Sequence, residues 1–117
     1  MCIIRLSGVD VAGTPRGTPV TATAFSGTAT ATAGAASGDL VFGAASTVNT
    51  ATPDGTQSVL IDDSLGGGEY MQISYKTAAG TSESLTWTQT SDYWAVGVLA
   101  YKPSSAPSGL TISWLRI

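Results

Sequence analysis

Residues 69–102 constrain the fold of this chain more than any other part. Met71, Ile73 and Tyr75 share one parity, with Gln72, Ser74 and Lys76 on the other. Leu85 and Trp87 alternate with Ser84, Thr86 and Thr88. Residues 93–101 (YWAVGVLAY) are then apolar at every position. Two strands that each bury one face, followed by one buried on both, form the middle of an antiparallel β-sandwich. The doubly apolar strand belongs at its centre, and Gly97 within it predicts close packing or a bulge.

The rest of the chain follows the same pattern. Strands are predicted over residues 1–6, 20–25, 39–44, 57–61, 69–76, 82–90, 92–102 and 109–117. Residues 26–37 are a low-complexity tract, Thr28, Thr30 and Thr32 alternating with Ala29, Ala31 and Ala33. It reads either as a strand with one Thr and one Ala face or as a mobile loop, since alanine buries little against the cost of ordering. Pro53-Asp54-Gly55 is a turn in which proline presets φ and glycine accepts a positive one. Gly66, Gly67 and Gly68 make another turn. Ala78-Ala79-Gly80 and Ser91-Asp92 are short enough for hairpins, and residues 103–109 are a Pro/Ser linker. No segment carries a helical period. The predicted architecture is one all-β domain over residues 1–117, a jelly-roll-like antiparallel sandwich of about eight strands.

Composition narrows the partners. Charged residues supply only 11% of the chain, five cations against eight anions. An acidic chain with scattered cations lacks the electrostatic footprint of a nucleic-acid binder. No basic amphipathic helix suits a membrane surface, and no apolar run reaches transmembrane length. Thr, Ala, Gly and Ser make up more than half the residues, and small side chains let sheets or subunits approach closely. Mean hydropathy is +0.20. That value predicts apolar surface covered by other chains. Residues 1–6 hold Arg5 and are too short for the core of a signal peptide, so no secretory route is expected from them.

Reaction chemistry finds little footing. The chain has no histidine, which removes the commonest general base and metal ligand and leaves no Ser-His-Asp or Cys-His site. Cys2, the single cysteine, lies in an apolar run and reads as a small buried hydrophobe. Lys76 and Lys102 read as exposed strand ends. Asp62, Asp63 and Glu69 flank the glycine turn, but their spacing fits no calcium loop and reads as a solvated turn. No catalytic, cofactor or metal site is expected. Trp87, Trp94 and Tyr93 are candidates for stacking on sugar rings. The competing reading, that such rings fill the core or an interface, is favoured by the shared parity of Trp87 with Leu85.

Several short motifs occur in an order that resembles a β-sandwich domain of bacterial surface proteins and phage virion proteins. They are Arg5-Leu6-Ser7-Gly8-Val9-Asp10, Gly38-Asp39-Leu40-Val41-Phe42-Gly43, Ala78-Ala79-Gly80-Thr81, Leu85-Thr86-Trp87-Thr88, and Asp92-Tyr93-Trp94-Ala95-Val96 through Lys102-Pro103. The resemblance covers about residues 3–103 and implies a concanavalin-like jelly roll. Similar domains carry further strands before the Ser-Gly-Val-Asp turn, so this chain is similar to their later part. It implies bare sheet edges completed by neighbouring copies.

These readings predict a structural protein of a virion surface, such as a phage capsid decoration or tail-surface protein. Its partners are copies of itself and other virion subunits, without nucleic acid or membrane. The candidate assembly residues are Ile3, Ile4, Leu6, Leu110, Ile112 and Trp114. The alternatives are a lectin-like module that binds surface glycans and a subunit of a secreted extracellular filament.

Overall fold

The computed structural model describes residues 2–10, 16–104 and 111–116, with backbone only at Cys2, Ile3, Thr111 and 114–116. Eight strands run along them: β1 (Cys2–Ser7), β2 (Arg16–Gly34), β3 (Leu40–Thr47), β4 (Thr52–Pro53), β5 (Ser58–Gly66), β6 (Glu69–Thr77), β7 (Ser82–Tyr101) and β8 (Thr111–Arg116). All pairing is antiparallel, and the described residues contain no helix. The all-β sandwich class expected from the sequence is the one observed. Six strands form one sheet in the order β2-β7-β3-β6-β5, with β4 also on β7, while β1 and β8 form a separate two-stranded sheet.

The sandwich is a long ribbon folded over on itself. In the first half of β7 the odd residues Leu85, Trp87 and Gln89 are buried; in the second half the even residues Trp94, Val96, Val98 and Ala100 are. β2 makes the same change, from Val20 and Ala22 packed on the core to Ala29, Ala31 and Ala33 within it. The switch falls where pairing jumps from Ser26↔Asp92 to Thr28↔Thr88, which sets Gly27 alone against three residues of β7. Such bulges bend a strand and raise its twist. Beyond the bend the first half of β7 lies over the layer made by its second half, β3 and β6.

Glycine is required at the contact between layers. A Cβ on Gly43 would sit 2.7 Å from Leu85 Cδ1 and 2.9 Å from the Gly97 carbonyl oxygen. Gly97, expected from its sequence position to mark close packing or a bulge, marks neither. It pairs regularly with Thr21 and Ala44, and its nearest neighbour to a built Cβ is 4.0 Å away.

Two further expectations are corrected, and of the two readings left open for the Thr/Ala tract one is observed. Ser91-Asp92 is not a hairpin turn: β7 runs through it, because both halves keep β2 as partner. The Thr/Ala tract is a strand, and it is continuous with the strand expected at 20–25. On β6 it is Gln72 and Ser74, the polar parity, that face the inner layer and are fully buried. Gln72 Nε2 donates to the Ala51 carbonyl and to Asp62 Oδ1. Both faces of β6 are covered, so parity alone did not tell inside from outside.

Candidate assembly surfaces

The two chain ends form a ribbon outside the sandwich. β1 and β8 pair over six residues, with Ile4 opposite Trp114 and Leu6 opposite Ile112. Direct opposites in an antiparallel pair share a face, so the register places Ile4, Leu6, Ile112 and Trp114 on one side. Ile3 falls on the other with Leu115, Arg5 and Ser113. Leu110 lies outside the described residues. The sequence-derived set therefore resolves into a four-residue apolar face plus Ile3 across from it.

A narrow neck joins this ribbon to the sandwich. Val9 bridges Pro103, Asp10 N–H donates to the Lys102 carbonyl at 2.9 Å, and Ser104 N–H donates to the Gly8 carbonyl at 2.6 Å. No described side chain of β1 or β8 belongs to the core cluster. An isolated two-stranded ribbon is at best marginally stable in water. Ile4, Leu6 and Ile112 remain only half-buried.

A second surface is the outer face of the layer formed by β3, β6 and the second half of β7. Thr21, Thr23, Ala44, Ser46, Met71, Ala95 and Gly97 contribute to a shallow groove of about 320 Å³. At one end Tyr93 (67% exposed) meets Phe25 (60% exposed) edge to face, with centroids 5.0 Å apart. Tyr93 also borders a smaller recess of about 240 Å³ with Ser46, Thr47 and Glu69. Phe25 was missed as a surface residue. Its signal was present, since it shares the parity of Thr21 and Thr23 rather than that of the inward Ala22.

The indole rings of Trp87 and Trp94 are not open to stacking. Trp87 is fully buried and Trp94 is 8% exposed. Both fill the core because the bend gives each half of β7 its own inward parity. Trp94 Nε1 donates to Ser26 Oγ at 2.9 Å. Beside it, Gln89 Nε2 donates to the carbonyls of Ser26 and Asp92, and Asn49 Nδ2 reaches Asp92 Oδ2 at 3.3 Å. Asn49 Nδ2 also donates to the Thr90 carbonyl at 3.2 Å, so Gln89 and Asn49 bond backbone carbonyls around the bulge. Of the three stacking candidates only Tyr93 presents its ring to solvent.

The charged residues mostly brace the fold. Arg16 holds the fully buried Asp39 through two guanidinium nitrogens, and Ala36 N–H donates to the same carboxylate at 2.9 Å. Burial pushes the Asp39 carboxyl up, but Arg16 and the Ala36 amide outweigh it and hold it below the usual carboxylate range. Lys76 is not the exposed strand end expected of it. Its Nζ lies 2.8 Å from Glu83 Oε1 with both side chains largely covered. That ammonium, with the Ala79 amide, lowers the Glu83 carboxyl. Asp62 accepts from Gln72. Among the described residues no group of three or more Cys, Asp or Glu side chains is placed to hold a metal ion, and no helix is long and apolar enough to cross a membrane.

Comparison of the chain with family models, with curated proteins and with solved structures finds no match.

Proposed function

We propose that this chain is a non-enzymatic structural protein that assembles with copies of itself, on the virion surface that the motif resemblance implies. The observation that supports this reading best is the terminal ribbon. Its β1–β8 register aligns four apolar residues on one side of a two-stranded sheet that carries no core of its own. Burying that face on a neighbour would supply the apolar contact that the ribbon lacks within the chain. The outer groove, nearly free of charge, is a second surface of the same kind. The mechanism is passive: apolar burial and main-chain pairing between subunits.

Size-exclusion chromatography with light scattering at micromolar concentration tests the reading. A multimer is expected, and Leu6→Asp with Ile112→Asp should lower its order while leaving the protein folded. A wild-type protein that stays monomeric sinks the proposal.

A lectin-like role is the second reading, and the exposed Tyr93 ring beside its polar recess favours it. A glycan array compared between wild type and Tyr93→Ala tests it. Binding lost in a folded variant supports the role, and no binding by wild type removes it.

A further inference from the structure

β2 and β5 end the strand order of the large sheet, with the two-residue, proline-bearing β4 off that path on β7, and the two ends differ in how they are guarded. Exposed edges are templates for pairing, and proteins blunt them with charge, proline, bulges or short length. β5 has two register slips, at Val59/Ile61 and Ser64/Gly66, and carries Asp62 and Asp63. The first part of β2 is guarded by Pro19 and a slip between Arg16 and Val20. Thr28–Gly34 (TATATAG) has none of these devices. It pairs with β7 from Thr88 to Ser82 without a break. No charged residue occurs between Arg16 and Asp39. Among the described residues no strand pairs with its other side.

This segment is also complementary to itself. In an antiparallel pair of two copies centred on Ala31, Ala31 faces its own symmetry mate, Thr30 faces Thr32, Ala29 faces Ala33 and Thr28 faces Gly34. Every alanine meets alanine and each central threonine meets threonine. Ala29, Ala31 and Ala33 are the buried parity, so this register continues the inner alanine row from one copy into the next. A slip of one residue would set alanine against threonine and turn the faces over. The outer hydroxyl pairing already exists within the chain. Thr30 Oγ1 lies 2.9 Å from Thr86 Oγ1 across the strands, and Thr32 Oγ1 2.6 Å from Ser84 Oγ.

We infer that Thr28–Gly34 of β2 is a homotypic edge, pairing antiparallel with the same segment of a second copy about a two-fold axis at Ala31. It joins two sandwiches through a continuous sheet roughly 23 Å along the strand. The inference rests on the self-assembly proposed above and adds to the terminal ribbon a second contact, the edge of β2. The bulged and acidic β5 is unsuited to be the partner, whereas a second β2 is matched in register and in side-chain size.

The test has two readings. Hydrogen exchange on wild-type protein at low and high concentration should show amides within residues 28–34 gaining protection of tenfold or more as copies associate. Thr30→Lys with Thr32→Lys sets lysines directly opposite one another across the axis and should weaken association at least tenfold by light scattering. Val59→Lys on the β5 edge should leave association unchanged. If wild type associates while residues 28–34 gain no protection, or the double variant associates as before, this edge is wrong and self-assembly stands. If wild type never associates, both fall. Should the double variant fail to fold, the exchange measurement on wild type decides alone.

Discussion

The sandwich and the terminal ribbon are both antiparallel sheets, yet different forces hold them. In the sandwich a bent ribbon lays Leu85 against Gly43, and Trp87, Val98 and the alanines of β2 belong to the same buried cluster. In the terminal ribbon six residue pairs stand beside a neck where, among the described residues, the Val9–Pro103 bridge is made by two backbone hydrogen bonds. Identical backbone pairing thus stands within a layered core in one place and, in the other, in a two-stranded sheet none of whose described side chains joins the core cluster. The difference is the second layer. Backbone hydrogen bonds contribute modestly net of those to water, and apolar burial between faces supplies most of the stability.

Breaking the sandwich should have the largest effect. Trp87→Ala empties a fully buried site and should cost about 3–5 kcal/mol, read from urea denaturation. Gly43→Ala forces a methyl into the contact with Leu85 and should cost about 1–3 kcal/mol. Gly97→Ala, on the same sheet but in open space, should change stability by less than about 0.5 kcal/mol. Equal losses for the two glycines would show that the layers do not meet where described.

The ion pairs sharpen the comparison through pH. Asp39, Asp54 and Glu83 are each held below the ordinary carboxylate value, Asp54 by the Thr56 hydroxyl and amide. The folded protein therefore binds fewer protons than the unfolded chain in acid. The stability they contribute is complete above the unfolded values near 4 and is lost as pH falls through the depressed folded ones. Asp39→Asn should cost about 2 kcal/mol at pH 7 and flatten the acid limb of the stability curve. An unchanged limb would show that Arg16 and Asp39 do not pair in solution.

Smaller effects remain. Ser74 Oγ is buried without a hydrogen-bond partner among the described residues. Ser74→Ala removes that hydroxyl and should raise stability by about 1 kcal/mol. Ile112→Asp in the ribbon should move the unfolding midpoint of the sandwich least of all. In a monomeric sample, ribbon amides should exchange well before those of β3 and β7. If ribbon and core amides exchange together, the two regions are one cooperative unit.

Much of this was legible in residue order. Alternation at 82–88 established a strand segment and its inward side; the unbroken apolar run at 93–101 established a second segment but read as buried on both faces, whereas Tyr93 and Ala95 are exposed. The apolar residues of the two chain ends were identified before their partners were known. Other features were not legible. That Leu6 faces Ile112, and that Ile3 falls across from Ile4, depends on a register between residues more than a hundred positions apart. Gln72 and Ser74 read as solvent-facing, because alternation reports two faces and not which is covered.

The sequence by itself determined the class: strand character, most of the strand segments and an interior place for β7, because period and side-chain shape act on the backbone locally. Only the tertiary structure decided that β7 is one strand bent at residues 89–91, opposite Gly27 of β2, that Gly43 rather than Gly97 is the crowded glycine, and that the chain ends pair outside the core. Each of those depends on which distant segments meet, and burial, which fixes the energy of every side chain, exists only once they have.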